Sequence, residues 1–167
     1  CHESGIASNT KYRSVTKNLK QAQRQDPLKL KLPPYYPDTP IVREDWKRNY
    51  ELITAMDEWV GEHLQALKAS GETDNTIVFF FSDHGVGLPR AKRWLYDSGT
   101  HIPLIVRIPN FFRASSQGVP GTLDQQLVSS IDLAPTVLKL AGIDVPDYMQ
   151  GRAFLGKQLK VNREYVF

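Results

Sequence analysis

Asp83 and His84 stand side by side where an unbroken apolar run, Ile77 to Phe81, ends in Ser82-Asp83-His84-Gly85. A carboxylate oxygen and a neutral imidazole nitrogen are good partners for one divalent cation. In a continuing strand, neighbouring side chains point to opposite faces, so the two reach one site only if the chain turns there. Gly85 and Gly87 supply the backbone freedom for such a turn. Lys92 follows within the stretch AKRWLYDSGTHIP. A lysine near a metal can hold an oxyanion that the metal also contacts, each cation neutralising charge spread over sulfuryl or phosphoryl oxygens. Two ligands are too few for a tight site, so others must come from elsewhere. Taken alone, the pair reads equally well as a turn in which Asp83 caps a backbone amide and His84 is exposed, with Lys92 an ordinary surface lysine.

The elements that would position these residues are legible around them. Trp46, Tyr50, Ile53, Met56, Val60, Leu64 and Leu67 step by three or four, which predicts an amphipathic helix with this stripe in the core. Ser70-Gly71 ends it, and residues 72–75 form a turn. Thr76 to Phe81 then reads as a strand whose continuous apolarity suits a parallel sheet covered on both faces. A site past the carboxyl end of such a strand lies where open α/β sheets place ligands. Residues 102–108 make a second strand, with Pro103 near its start. Five prolines between Pro27 and Pro40 make residues 26–40 an irregular or extended loop, and a loop of that length is often functional. Residues 110–127 are loop-like; Asp132 to Ala141 is a helix with Asp132 as its cap, Pro135 in its first turn and Gly142 as its stop. Helix, strand, strand and helix with long loops indicate an α/β layer.

Composition is permissive. The 167 residues amount to about one domain, 41% hydrophobic and 23% charged, enough for a core. A net charge of +3 permits an anionic substrate without demanding one. Much of it sits in Lys11, Arg13, Lys17, Lys20, Arg24, Lys29 and Lys31, which read as a solvated segment before a polyanion site. The single cysteine, Cys1, excludes an internal disulfide. No apolar run approaches a membrane span, and nothing points to a nucleic acid partner. The start at Cys1 and the stop in REYVF both read as cut ends, so the lack of a visible signal peptide says nothing about export.

In order along the chain, several stretches resemble the sulfatases of the alkaline phosphatase superfamily. CHES at residues 1–4 is similar to the His-Glu-Ser that many bacterial sulfatases carry after a central strand. LPPYYPDTPIVREDWKRNYELITAMDEWVGEHLQALKASGETDNTIVFFFSDHG resembles the family almost throughout. KRWLYDSGTHIPLIVRIP, VSSIDLAPTVLKLAGIDVP and MQGRAF resemble its later segments. The HES form and the closing REYVF are closest in character to the heparan N-sulfatase-like group.

The resemblance implies an alkaline-phosphatase-like sandwich, a mainly parallel central sheet flanked by helices and incomplete at both ends. Residues 1–167 would be part of one catalytic domain, without its nucleophile-bearing N-terminal portion and its C-terminal subdomain. It implies Asp83 and His84 as metal ligands, Lys92 as the residue that binds the sulfate oxygens, and His2 beside the leaving-group oxygen as hydrogen-bond donor or general acid. His101 has no firm family role and is expected to border the substrate pocket. The family's nucleophile is a formylglycine made from cysteine in Cys-x-Pro-x-Arg; no such pattern occurs here, and Cys1 lacks its Pro and Arg. Nucleophile and paired metal-binding aspartates are therefore expected upstream, and the segment alone is expected to be inactive. Calcium is the family's usual metal, but His84 stands where many sulfatases have Asn, which leaves manganese or zinc open. Asp-His at this corner also occurs in related phosphonate and phosphodiester hydrolases. The expected reaction is hydrolysis of sulfate esters or sulfamates of a small molecule or a sulfated glycan, in a periplasmic or secreted protein. The alternatives are a phosphonate monoester or phosphodiester hydrolase, and a non-enzymatic binding module whose corner is a mere turn.

Overall fold

The computed structural model describes residues 9–113, 120–157, 159 and 163–166. Cys1 and His2 lie outside the described residues. The chain forms two compact units, residues 1–73 with 80–105 and residues 74–79 with 106–167.

The first unit is organised by helix α2, Pro40–Ala69, after the short helix α1, Asn9–Thr16. Thr39 caps α2 by accepting from the Val42 amide, Pro40 occupies the first turn where its missing N–H is harmless, and Gly71 follows its end at φ +77°. The predicted stripe holds only in part. Trp46 and Leu52 are buried, but Ile53 and Leu64 are 44% and 43% exposed, so the apolar face is covered along the first half of the helix only. The most deeply buried residue on α2 is polar. Glu51 is 0% exposed and accepts from the Tyr12 hydroxyl, from Arg24 Nη1 at 2.8 Å and from the Gln25 amide at 3.1 Å. Burial alone would raise its pKa; these donors outweigh burial and hold the carboxyl below its ordinary range. Arg24, one of the basic residues read as solvated, is thus a structural partner, whereas Lys11, Arg13, Lys17, Lys20, Lys29 and Lys31 are exposed as expected. Arg43 ties the proline-rich segment to α2. It pairs with Asp38 through Nε and Nη2 at 2.5 and 2.7 Å, and Nη1 donates to the carbonyls of Pro27 and Leu30 at 2.8 and 3.1 Å.

Strands β1, Val78–Phe81, and β2, Leu104–Arg107, form a two-stranded antiparallel sheet. The Ser82 amide donates to the Pro103 carbonyl at 3.3 Å just beyond the pairing. The expected parallel sheet covered on both faces is therefore not present among the described residues. Parallel neighbours need a crossover, usually a helix, and between β1 and β2 the only helix is α3, Asp97–Thr100, of four residues. Burial agrees with the open arrangement: Phe81 is 47% and Ile105 63% exposed.

The second unit is built on α4, Leu133–Leu140, which the turn at Ser130–Asp132 leads into and Gly142 at φ +74° ends. Asp132 makes no side-chain cap to α4. It is 2% exposed and accepts from the amides of Ser129 at 2.9 Å and Arg152 at 2.7 Å, and from Arg163 Nε and Nη2 at 2.9 and 2.5 Å. The capping expectation failed because an arginine 31 residues away supplies a stronger, bidentate partner. Among the described residues no helix is long and apolar enough to cross a membrane.

Candidate functional site

The site expected at the Asp-His corner lies wholly in the first unit. The chain leaves β1 at Phe81 and bends through residues 83–85. Ser82 Oγ donates to the His84 carbonyl at 2.6 Å and holds the bend. The turn brings the two side chains to the same side: His84 Nε2 is 3.5 Å from Asp83 Oδ1. His84 Nδ1 lies 2.6 Å from the Gly85 carbonyl oxygen. A carbonyl can only accept, so Nδ1 carries a proton and Nε2 is the ring nitrogen that faces Asp83.

Gly85 is required here for a reason other than turning. Its φ is not positive; among the described residues the positive-φ glycines are Gly71, Gly121, Gly142 and Gly156. Instead its amide donates to the Gly99 carbonyl at 3.0 Å, and a Cβ would stand 2.0 Å from the Ser98 carbonyl oxygen. Gly99 is its counterpart, since a Cβ there would meet the carbonyl oxygens of Trp94 and Ala91 at 2.2 and 2.3 Å. Two backbones therefore touch, and this contact sets the loop that carries Lys92. Gly85→Ala should destabilise the chain by about 1–3 kcal/mol, the usual range for overpacking against an unyielding backbone. Denaturant unfolding checks this; an unchanged midpoint would mean the two segments part freely.

Lys92 is half-buried on that loop, its amide closing a turn on the Val86 carbonyl at 3.0 Å. Its ammonium has no ion pair or side-chain hydrogen bond among the described residues. Arg90 and Arg93 on either side hold φ of 62° and 73°, left-handed values that side-chain-bearing residues adopt only when the surroundings impose them. His101 follows α3 and faces outward, 79% exposed, with Nδ1 3.5 Å from Asp97 Oδ1. The structure thus brings Asp83 and His84 together and sets Lys92 on the adjoining loop, while His101 pairs with a surface aspartate. His2 lies outside the described residues.

The pair is suited to a divalent cation. Two ligands about 2.4 Å from one calcium ion at right angles stand about 3.4 Å apart, close to the 3.5 Å observed. They cannot complete a site: among the described residues no group of three or more His, Cys, Asp or Glu could hold a metal ion.

A cavity of about 210 Å³ adjoins the same loop, with Tyr35, Tyr36, Asp45, Trp46, Pro89 and Arg90 in its walls. The Tyr36 hydroxyl donates to the Pro89 carbonyl. The Arg90 guanidinium lies 5.0 Å from the Tyr35 ring centre and 4.6 Å from that of Tyr96. Sequence reading passed over this group because its members come from positions 35 to 96 without a shared spacing. The adjacent Tyr35-Tyr36 inside a proline-rich loop was the one available signal.

The strand end thus presents a carboxylate beside an imidazole, with a lysine on the adjoining loop. A family model described as Sulfatase matches residues 6–143. The chain belongs to the sulfatase family of the alkaline phosphatase superfamily. It is 45% identical over 138 residues to an ulvan-active sulfatase of Formosa agariphila, covering 83% of this chain and 22% of that protein. It is 36% identical over 126 residues to the human N-sulphoglucosamine sulphohydrolase, covering 75% of this chain and 24% of that protein. A solved structure in complex with its substrate D-glucosamine-2-N,6-O-disulfate is similar over 68% of this chain and 23% of its own, at 29% identity and a TM-score of 0.49. The chain therefore spans under a quarter of the length of each of these relatives.

Proposed function

We propose that residues 1–167 are part of the catalytic domain of a sulfatase that hydrolyses sulfate esters or sulfamates of a sulfated glycan. The observation that carries the reading is the Asp83–His84 corner, Oδ1 to Nε2 at 3.5 Å, with Lys92 on the loop that leaves it, in a chain of this family. The names of the relatives, an ulvan-active sulfatase and an N-sulphoglucosamine sulphohydrolase, support a glycan as substrate. The parallel sheet of the full domain would be completed by chain outside these residues.

Asp83 and His84 would hold the divalent ion, with calcium favoured by the carboxylate and the imidazole leaving manganese or zinc open. When bound, that ion supplies positive charge beside the sulfate oxygens. The Gly85 carbonyl orients the His84 ring through Nδ1, and the contact between Gly85 and Gly99 positions the loop. Lys92 holds the sulfate oxygens, offering a charge that no carboxylate among the described residues neutralises. His2 donates a proton or a hydrogen bond to the leaving-group oxygen, and His101 stands at the rim of the pocket. A formylglycine nucleophile is expected upstream, since no Cys-x-Pro-x-Arg pattern occurs in the 167 residues.

The test is a calcium titration of the full-length protein beside an aryl sulfate assay. Wild type should bind the ion and release sulfate, and Asp83→Ala should weaken binding by at least 10-fold with parallel loss of turnover. Equal affinity in both would reduce the corner to a turn. Wild-type turnover of a phosphonate ester in place of the sulfate would move the reaction to phosphorus.

A further inference from the structure

We propose that the cavity beside the Lys92 loop is a subsite for the sugar ring next to the one bearing the scissile sulfate, and that Arg90 there binds an anionic group on that ring; this rests on the glycan sulfatase reading above.

Arg90, like Arg13, Arg93, Arg113 and Arg152, makes no ion pair among the described residues, and what sets it apart is the pair of rings it lies against. Arg24, Arg43, Arg48, Arg107 and Arg163 each pair with a carboxylate. Arg90 has no ion pair and no side-chain hydrogen bond among the described residues; rings hold it instead. Its guanidinium lies against Tyr35 at 5.0 Å and Tyr96 at 4.6 Å, so its position is set by stacking while its edge of N–H donors stays available. The backbone is committed as well. Arg90 keeps φ 62°, and its carbonyl accepts from Ser98 Oγ at 2.6 Å. The Arg90 side chain is exposed with its donors unspent within the chain, so it can receive an oxyanion, bidentate for a carboxylate or a sulfate.

The cavity beside it has the matching chemistry for a sugar. Its volume of about 210 Å³ holds one ring. Tyr35, Tyr36 and Trp46 line it with rings tilted to one another, Tyr36 edge-on to Trp46 at 5.3 Å, and an exposed aromatic face such as that of Tyr35 can accept the C–H face of a pyranose. Asp45 in the same wall can accept from ring hydroxyls. Tyr36 is anchored through its hydroxyl to the carbonyl of Pro89, the residue before Arg90, which ties this ring to the Arg90 segment. Arg90 is two residues from Lys92 on the same loop, so the cavity adjoins the segment that carries the sulfate-binding lysine.

The experiment uses the full-length protein and three probes: an aryl sulfate, a sulfated hexosamine monosaccharide, and a disaccharide joining that hexosamine to a uronate. Wild type should favour the disaccharide, with KM at least 5-fold below that of the monosaccharide. Arg90→Gln should erase that preference through KM, with kcat for the disaccharide within 2-fold. Tyr35→Ala should raise the same KM, and Arg90→Lys should recover part of it. Equal KM for disaccharide and monosaccharide in wild type, or a preference untouched by Arg90→Gln, overturns the subsite while aryl sulfate turnover leaves the sulfatase reading standing. Wild type that hydrolyses none of the three probes overturns both. Melting curves of the variants separate loss of fold from loss of contact.

Discussion

Lys92→Ala lowers kcat/KM for a sulfate ester by about 10²–10³-fold in the full-length protein, equivalent to about 2.7–4 kcal/mol of transition-state stabilisation. The magnitude is that of removing one preorganised charge or donor from a developing oxyanion. It applies because the Lys92 ammonium has no other charge to serve among the described residues, and because the turn on Val86 and the contact between Gly85 and Gly99 hold its backbone. Most of the loss should fall on kcat, since charge on the leaving oxygen and the sulfuryl group grows on the way to the transition state. Lys92→Arg should recover only part, because a planar guanidinium does not superpose on an ammonium. Thermal stability should scarcely change, as a half-buried side chain without partners leaves little unsatisfied when removed. A kinetic effect under 2-fold would return Lys92 to the surface and leave the corner without its anion-binding arm.

Asp132→Ala is expected to be the most destabilising single change in the second unit, at about 3–5 kcal/mol, because it strands Arg163 and two backbone amides in a buried site. Domains are held by about 5–15 kcal/mol in all, so the variant would unfold readily under mild denaturant. The same group makes stability depend on pH. Burial would raise the Asp132 pKa, but Arg163 and the amides of Arg152 and Ser129 outweigh it and hold the carboxyl below the usual 3.8. A carboxyl depressed in the folded state contributes fully above its unfolded value and loses that contribution as pH falls through the folded one. Unfolding free energy should therefore hold steady near neutrality and decline below about pH 4, and Asp132→Ala should flatten that decline. Glu51, depressed by the same balance in the first unit, leaves a residual slope. A wild-type profile without an acid decline would contradict the charged state of both carboxyls.

Much of the local organisation could be read from neighbouring residues. The spacing from Trp46 to Leu67 located α2, Gly71 and Gly142 marked helix ends at φ +77° and +74°, and the Asp-His pair at the end of an apolar run located the corner. Each depends on side chains within a turn or a strand of one another, where periodicity and steric preference act directly. Parallel pairing was expected from the apolarity of β1, which reports burial but not the partner's direction; the absence of a crossover helix decided for antiparallel pairing.

The chain's own order of residues determined its family, its long helix, and the place where a carboxylate meets an imidazole. Tertiary structure decided which charges are spent and which remain available. Glu51 and Asp132, unremarkable in a list of acidic residues, become the buried anchors of the two units through arginines 27 and 31 positions away. Arg90, one basic residue among many, is the one stacked between tyrosines from two distant segments. The physical reason is that a charge's role depends on its desolvation and on its partners, and both are properties of the folded neighbourhood that no local pattern of residue types encodes.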